Sequence, residues 1–263
     1  MDMQNPATAA DGGLVRAIDR AVLILEFLEA SPHTRFTVTQ IARALGLPKS
    51  TTFNLCGALV NGQLLRRSHD GLQLGRRLVQ LGSAYVSSID LVREFYEVCR
   101  VAPADLGATI QLSVLDEGFN AVYLAYQDCG SGLRLGLSGG VGRVVPANCS
   151  ASGKALLAAL GETALEGRLA RVTRLPGLTA ASITSMARLR RELVAIRRRG
   201  HSTDEGGTVP GLSCVAGAVK TSYAEGDLVA VSITASTDTL TARRARVMRQ
   251  TLLHIVALLQ ARL

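Results

Sequence analysis

The sequence predicts an α+β protein with an N-terminal winged helix-turn-helix, a linker helix and a C-terminal domain whose helices pack on a mostly antiparallel sheet. Three short helical segments precede a hairpin signal, and β-rich runs then alternate with helical segments. The 263 residues suffice for two hydrophobic cores. A hydrophobic content of 48% with only 7 prolines excludes fibrous and disordered chains. No apolar run reaches the length of about eighteen residues that a membrane span needs.

Three helices are predicted near the amino end. Apolar residues recur at helical spacing across residues 15–29. Thr37, followed three residues later by Gln40, forms a capping-box pattern that opens a short second helix. Pro48 lies where a helix can begin, so the third helix is predicted over residues 49–61.

A two-stranded hairpin is predicted after the third helix. Residues 64–67 and 72–74 flank Asp70-Gly71, a dipeptide typical of hairpin turns. Three helices and a hairpin make a winged helix-turn-helix, which we assign to residues 14–75. Helical periodicity resumes at Arg76, so residues 76–89 are predicted to form a linker helix.

The C-terminal domain is assigned to residues 90–263. Its predicted strands are β-rich runs separated by glycines and turn residues, at residues 109–115, 121–126, 133–137, 141–145, 212–219 and 228–234. Its predicted helices cover residues 152–160, 186–199 and 241–262. This order favours a sheet of five or six mostly antiparallel strands with helices packed on it.

The net charge makes a polyanionic partner the first hypothesis. Twenty-nine Lys and Arg residues against 21 Asp and Glu residues give a net charge of +8. Residues 1–87 hold nine basic and six acidic side chains, so the excess is not confined to the predicted DNA-facing half. The position of the interface must therefore come from motifs.

The remaining composition sets expectations about location and chemistry. Residues 1–13 have no apolar core, so we interpret them as a disordered tail and expect a cytoplasmic protein without membrane attachment. Five widely spaced cysteines without a Cys-x-x-Cys pair argue against a disulfide framework or a zinc site. The four histidines share no ligand spacing. We therefore expect neither a metal nor a cofactor.

The third predicted helix has the pattern of a DNA-reading helix. Apolar and small residues recur at helical spacing and mark the face for the core, namely Thr52, Leu55, Cys56 and Leu59. The opposite face offers short donors for phosphates near its start, then Asn54 for adenine and Phe53 for a thymine methyl group. With basic residues of the second helix and the wing, the candidate DNA-binding residues are Arg43, Lys49, Ser50, Thr51, Phe53, Asn54, Arg66 and Arg67.

Other interpretations of this unit stay open. Small three-helix units also serve as dimerisation or protein-binding modules, and wing arginines can simply be solvated. Phe53 could equally be a partly buried packing residue. The combination of a capped helix, a proline start and an Asp-Gly wing favours double-stranded DNA over these alternatives.

Two groups of motifs carry a family resemblance. The N-terminal group is LVRAIDRA at residues 14–21 and IARALGLPKST at residues 41–51. The C-terminal group is RVVP at 143–146, SGKALLA at 152–158, LP at 175–176 leading to IT at 183–184, IRRRGH at 196–201 and GLSCVA at 211–216. By these motifs the chain resembles the IclR family of bacterial transcriptional regulators over nearly its whole length. It departs from the family at Phe53-Asn54, where His-Arg is frequent, and at Asn148, where His is frequent.

The resemblance implies a GAF-like effector-binding domain behind the winged helix-turn-helix, in a homodimer or a dimer of dimers. It implies a regulator that binds a palindromic operator, here expected to repress a catabolic operon until a small carboxylate or aromatic effector relieves it. By resemblance, the effector-binding residues are Ala151, Ser152, Asp204, Cys214, Ser232 and Thr234.

The residues themselves support this effector site in part. Ser232 and Thr234 are two apart on a predicted strand and therefore share a face. Ser152 and its neighbours open a helix, where they could bind an anion or serve only as caps. Cys214 could be a core residue and Asp204 a loop acid. The expected apolar wall of the pocket is Leu133, Leu135 and Val141.

Two enzyme interpretations are weak. The segment around Gly153-Lys154 lacks the leading glycine and the following hydroxyl of a phosphate loop. Ser138 lies in a Gly-x-Ser-x-Gly pattern, but a β-rich run follows it and no Asp lies between it and His201. Three hypotheses remain, in this order: an effector-responsive transcription factor that is not an enzyme, a small-molecule sensor whose helical unit binds protein, and an esterase using Ser138.

Overall fold

The chain divides into two compact units, an N-terminal unit of Met1–Ser88 and a C-terminal unit of Ile89–Leu263. The computed structural model describes residues 16–87, 90–131, 140–221 and 228–263. The predicted tail at residues 1–13 and the predicted strand at residues 133–137 lie outside these ranges. Within them, no helix is long and apolar enough to cross a membrane.

The N-terminal unit is a winged helix-turn-helix, as predicted. Its elements are α1 (Arg16–Glu29), α2 (Val38–Ala44), α3 (Lys49–Asn61), β1 (Leu65–Ser68), β2 (Gly71–Leu74) and α4 (Arg77–Ser87). The capping box is present: the Gln40 amide donates to the Thr37 hydroxyl at 3.3 Å, and the Thr37 amide donates to the Gln40 side chain at 2.8 Å. This reciprocal pair fixes where α2 begins.

The first three helices and both wing strands each place a side chain in the N-terminal core. Ile24, Ile41 and Cys56, from α1, α2 and α3, are each 0% exposed. Leu65 and Leu72 of the hairpin are 1% and 2% exposed. Burying an aliphatic side chain of this size contributes about 1.5–3 kcal/mol relative to leaving it exposed. The core therefore fixes the outward face of α3 relative to the wing.

The wing turn lies one residue earlier than the predicted Asp70-Gly71. Ser68 pairs with Gly71, so residues 69–70 form the loop. Gly71 has a φ of 149°, and a Cβ there would lie 2.9 Å from the backbone of Phe36. Phe36 and Leu72 exchange backbone hydrogen bonds of 3.2 and 2.9 Å. The wing is therefore tied to the segment that precedes α2.

The C-terminal unit is built around a six-stranded sheet in the order β5-β4-β3-β8-β7-β6, and its described pairings are antiparallel. Its strands are β3 (Ala108–Leu115), β4 (Asn120–Cys129), β5 (Val144–Pro146), β6 (Ser202–Glu205), β7 (Leu212–Lys220) and β8 (Leu228–Ser236). Its helices are α5 (Asp90–Cys99), α6 (Ala151–Ala159), α7 (Glu162–Leu169), α8 (Met186–Arg199) and α9 (Ala242–Arg262). The predicted α+β class is confirmed.

Helices cover both faces of this sheet. Ala216 of β7 packs with Ala155 and Leu156 of α6, whereas a Cβ on the next residue, Gly217, would touch Val256 of α9. Because neighbouring strand residues point to opposite faces, α6 and α9 lie on opposite sides. α8 packs against α6, and α5 packs against α9.

Three elements of the C-terminal unit fall outside the predicted set. α5 and α7 are amphipathic helices that bury Phe95 and Leu165. β6 has the polar sequence Ser-Thr-Asp-Glu and is a strand because it pairs with β7. The predicted strand at 141–145 is shorter, since the Arg143 amide donates to the Gly140 carbonyl at 3.2 Å in a turn that precedes β5.

Candidate functional site

The third helix presents a polar face to solvent. Thr52, on the opposite face, is 0% exposed, and its hydroxyl donates to the Pro48 carbonyl at 3.0 Å. Phe53 is 58% exposed, and Asn54 beside it is exposed as well. Phe53 is therefore not part of the core of this unit and is free to contact another molecule.

Four cations of the winged helix-turn-helix have no ion-pair partner among the described residues. They are exposed and belong to α2, α3 and the wing, namely Arg43, Lys49, Arg66 and Arg67. None of them forms an ion pair with a described residue. Ser50 is exposed and Thr51 half-buried in the first turn of α3. Uncompensated positive charge beside the start of a helix attracts an anion.

The two wing arginines lie on different faces of the hairpin. Arg67 pairs with Leu72, on the face that also carries the buried Leu65. Arg66 pairs with Gln73 on the other face, because neighbouring strand residues alternate. The two side chains therefore offer positive charge on both sides of the wing.

The tip of the wing is held by Arg35, which the sequence reasoning missed. Its guanidinium forms an ion pair with Asp70 and donates to the Gln73 side chain at 3.1 Å. The bond from Arg35 holds the pKa of the Asp70 carboxyl below its ordinary value. Asp70 thus fixes the wing rather than opposing the charge of Arg66 and Arg67.

The C-terminal unit contains a polar cavity between the start of α6 and the sheet. Its volume is about 20 Å³, which holds about one water molecule. The loop of residues 206–211, between β6 and β7, contributes to the wall. The described residues of its wall are Gln111, Tyr123, Arg143, Ser150, Ala151, Ser152, Thr208, Val209, Leu212, Cys214, Ser232 and Thr234.

Several polar groups of the cavity wall bond to one another. The Tyr123 and Ser152 hydroxyls lie 3.0 Å apart. The Thr234 hydroxyl donates to the Gln111 side-chain carbonyl at 3.2 Å and lies 3.2 Å from the sulfur of Cys214. Burial raises the pKa of the Tyr123 hydroxyl and raises the pKa of the Cys214 thiol to about 12. Both groups are therefore protonated at neutral pH and serve as hydrogen-bonding groups.

One buried hydroxyl of the cavity wall and two amides at the start of α6 have no acceptor among the described residues. The hydroxyl is that of Ser232, a residue that is 2% exposed. The amides are those of Ala151 and Ser152, whereas the Gly153 amide donates to the Ser150 hydroxyl at 3.0 Å. A buried group without a partner costs about 1–3 kcal/mol. A ligand with acceptor oxygens would satisfy these donors.

Arg143 is the charged member of the cavity wall. It is half-buried in the turn before β5, and no described carboxylate pairs with it. Its charge opposes the effect of burial on the pKa values of Tyr123 and Cys214, so the guanidinium lies near both. Sequence reasoning missed Arg143, Gln111 and Tyr123, because these residues come from separate segments and share no local pattern.

Asp204 does not line the cavity, although the resemblance placed it among the effector-binding residues. Its carboxylate accepts from the amides of Gly207 and Thr208 at 3.1 and 3.3 Å. Burial raises the pKa of Asp204, while the charge of Lys154 acts in the opposite direction. Asp204 is therefore a positioning residue that holds the loop carrying Thr208 and Val209.

The apolar part of the wall also differs from expectation. Val209 and Leu212 line the cavity, whereas Val141 is 51% exposed and does not. Leu133 and Leu135 lie outside the described residues, as does Ser138 of the esterase hypothesis. Among the described residues, Val209 of the loop after β6 and Leu212, the first residue of β7, thus give the cavity its larger apolar side chains.

The Gly-Lys pair at the start of α6 has a structural role. A Cβ on Gly153 would lie 2.3 Å from the Cα of Ala147, so only glycine fits there. Lys154 is 5% exposed, and its ammonium group donates to the Thr203 carbonyl at 2.7 Å. Burial lowers the pKa of Lys154. This lysine braces edge strand β6, in contrast to a phosphate-loop lysine, which reaches into an open ligand site.

Two family models match the chain. Residues 83–258, more than half of the chain, match the model of the bacterial transcriptional regulator IclR C-terminal domain. The chain belongs to the IclR family. Residues 17–69 match the IclR helix-turn-helix domain, which covers α1 to β1. The family resemblance read from the motifs is confirmed, and the protein is a transcriptional regulator of this family.

Curated relatives of the chain are named as repressors. The transcriptional repressor IclR of Escherichia coli K12 is 28% identical over 230 residues, which cover 86% of this chain and 82% of the relative. The HTH-type transcriptional repressor AllR of Klebsiella pneumoniae is 30% identical over 206 residues, covering 78% and 74%.

A solved structure shares the fold. The IclR homologue from Microbacterium hydrocarbonoxydans, complexed with 4-hydroxybenzoate, matches with a TM-score of 0.69. It is 23% identical, and the match covers 93% of this chain and 99% of that one.

Within this IclR-family chain, the cavity brings together most of the residues that the resemblance assigned to the effector. Those on the wall are Ala151, Ser152, Cys214, Ser232 and Thr234. Ser232 and Thr234 share a face as their spacing predicts. Asn148, where the family often has His, is 0% exposed and donates to the carbonyls of Pro176 and Ile183 at 2.7 and 2.9 Å. Asn148 therefore anchors the segment before α8 and does not line the cavity.

Proposed function

We propose that this IclR-family regulator is a cytoplasmic repressor that binds a palindromic operator as a dimer and leaves it when a small organic acid occupies the polar cavity. The observation that carries the proposal is the exposed outer face of α3, with Phe53 and Asn54 in solvent, on a unit that also carries the exposed cations Arg43, Lys49, Arg66 and Arg67. Relatives named as repressors support the direction of regulation.

The DNA contacts divide by side-chain chemistry. Lys49, Ser50 and Thr51 at the start of α3 donate to phosphates, and the cations Arg43, Arg66 and Arg67 hold the duplex on either side. Asn54 reads adenine with its amide, and Phe53 packs on a thymine methyl group. Because position 54 has no guanidinium, this helix lacks the bidentate guanine contact that an arginine provides.

The effector chemistry follows from the unpaired donors. A carboxylate accepts from the amides of Ala151 and Ser152 and from the Ser232 hydroxyl, and the partial positive charge at the start of α6 favours it. The homologue that binds 4-hydroxybenzoate supports a carboxylate ligand. Since the cavity holds about one water molecule, the wall must move to admit an organic acid.

A second copy of the chain provides the second half of the interface. None of the residues of α4 is buried, and its apolar side chains Val79 and Leu81 are 74% and 49% exposed. We propose that another copy packs against this helix. A two-fold dimer then presents two α3 helices to half-sites about one helical turn, or 34 Å, apart. The acid changes operator affinity by binding one arrangement of this dimer more tightly than the other.

The DNA assignment is tested by titrating the full chain into two duplexes, one from the region upstream of its own gene and one of random sequence. Lys49→Ala should weaken binding to both duplexes by a similar factor, because it removes a phosphate contact. Asn54→Ala should weaken binding to the upstream duplex only, by about 5- to 150-fold for each lost base contact of about 1–3 kcal/mol.

The matched control removes an exposed cation from the other unit. Arg100 is 77% exposed and pairs with Glu97, so Arg100→Ala should leave both affinities unchanged. Equal losses for Lys49→Ala and Asn54→Ala on both duplexes would contradict the assigned roles. If Lys49→Ala and Asn54→Ala both bound the two duplexes as tightly as wild type, the result would contradict DNA recognition through α3.

A further inference from the structure

The polar cavity has two separate features that attract an anion. One is the start of α6, where the amides of Ala151 and Ser152 and the Ser232 hydroxyl lack acceptors among the described residues. The other is the guanidinium of Arg143, which enters from the turn before β5. The two features come from different segments of the chain and do not bond to each other.

No acidic residue of the described wall neutralises Arg143. The wall otherwise consists of hydroxyl, amide, thiol and apolar groups. Asp204, the buried acid nearby, is occupied by the amides of Gly207 and Thr208 and lies close to the charge of Lys154. A half-buried guanidinium without a counter-ion is poorly compensated and gains most from an anionic ligand.

Two carboxylates would satisfy both features at once. One would accept from the amides at the start of α6 and from Ser232, and the other would pair with the Arg143 guanidinium. The Tyr123 hydroxyl and the Gln111 side-chain amide lie on the wall as well, within the same cavity as both features. Val209 and Leu212 would cover the methylene groups between the two carboxylates.

We infer that the ligand of the polar cavity is a small diacid, with one carboxylate at the start of α6 and the other on Arg143. This inference rests on the proposed function, because it names the ligand class of the same cavity. Arg143 is then the residue that separates diacids from monoacids, since a guanidinium forms paired, charge-assisted hydrogen bonds with a carboxylate.

Matched pairs of ligands test this inference. The probes are malonate, succinate, glutarate and adipate, each beside its monoamide, which has nearly the same shape and one charge fewer. Affinity is measured by calorimetric titration of the full chain. The best diacid should bind at least about ten-fold more tightly than its monoamide, the size expected for a charge-assisted pair.

Variants then assign the preference to its residue. Arg143→Gln should reduce the ratio between diacid and monoamide to about two-fold or less, and Arg143→Lys should retain part of it. Arg100→Gln, at an exposed site of the same unit, should leave the ratio unchanged. Ser232→Ala should weaken both members of each pair, because it acts at the other end of the ligand.

The outcomes separate the two levels of the proposal. Monoamides that bind as tightly as their diacids would overturn the diacid inference and leave an effector cavity in place. The same holds if Arg143→Gln weakens diacid and monoamide equally, because one carboxylate would then bridge both features. If none of these acids bound to the chain, both the diacid inference and the proposal of an acid effector would be overturned.

Discussion

The two buried serines without partners allow a sharp test of how the C-terminal unit is built. Ser232 faces the polar cavity, whereas Ser113 of β3 is 0% exposed and does not line it. Neither hydroxyl has a hydrogen-bond partner among the described residues. A buried polar group in this state costs about 1–3 kcal/mol, and replacement by alanine removes that cost while changing the shape by one oxygen atom. We therefore expect Ser113→Ala to stabilise the unit by about 1 kcal/mol.

Scanning calorimetry of the full chain without ligand measures the effect. For a unit of this size, about 1 kcal/mol raises Tm by about 2–4 °C. Ser232→Ala should melt at or above the wild-type temperature, with a smaller gain if a cavity water bonds to its hydroxyl. Ser202→Ala is the matched control: its buried hydroxyl donates to the Ala151 carbonyl, so its loss should lower stability by about 1–2 kcal/mol.

The result that refutes this reasoning is a Ser113→Ala variant that melts several degrees below wild type. Such a loss would mean that the hydroxyl stabilises the fold and is not an unpaired group. A Ser232→Ala variant with unchanged Tm and lost acid binding would instead show that this hydroxyl serves the ligand rather than the fold.

Three further predictions concern single positions. Gly71→Ala should destabilise the N-terminal unit by about 2 kcal/mol or more in urea unfolding, because the φ of Gly71 is 149° and a Cβ there would meet the backbone of Phe36. Gly57→Ala is the control: a Cβ at this position of α3 meets nothing within 4 Å, so the variant should be more stable by up to about 1 kcal/mol. Thr37→Ala should cost about 1 kcal/mol in the same assay through loss of the capping box, and no change would show that the cap is dispensable. Burial raises the pKa of Asp204 in the folded state above the ordinary value of 3.8. At a pH between the unfolded and folded pKa values, the folded state therefore binds one proton more than the unfolded state. The contribution of this carboxyl to the free energy of unfolding falls as the pH rises through that window. In urea unfolding from about pH 4 to 7, the free energy of unfolding of Asp204→Asn should therefore rise relative to that of wild type as the pH rises. A constant difference between the two free energies over this range would contradict the effect of burial on Asp204.

The N-terminal unit could be predicted almost completely from local signals. The capping box at Thr37 and Gln40, the proline before α3 and the 3.6-residue spacing of Thr52, Cys56 and Leu59 act over a few residues and are visible in the sequence. The error of one residue in the wing turn arose because Gly71 serves the close approach of Phe36, a contact between distant segments.

The cavity was less predictable because it is assembled from many segments. Arg143, Gln111 and Tyr123 meet only through the antiparallel registers of β3, β4 and β5 and carry no shared motif. The family resemblance placed Asp204 at the effector, whereas in the structure its carboxylate accepts from the amides of its own loop. β6 is a strand through its pairing with β7, which a propensity argument cannot detect.

The net charge of +8 is only partly explained by the α3 surface. On α8, Arg190 pairs with Glu166, Arg197 with Glu162 and Arg199 with Glu192, so part of the excess in the C-terminal unit is structural. These pairs lie at the surface, where an ion pair contributes little to stability. The four cations of the proposed DNA surface, in contrast, form no ion pair with a described residue.

The salt dependence of operator binding tests the central claim most directly. For DNA, the logarithm of the affinity falls with the logarithm of the salt concentration, with a slope of about 0.9 for each phosphate contact. Lys49→Ala removes two contacts from a dimer, so its slope for the duplex upstream of its own gene should be shallower than wild type by about 2. Arg100→Ala should retain the wild-type slope. Identical slopes for wild type, Lys49→Ala and Arg100→Ala would contradict recognition of DNA by the α3 surface.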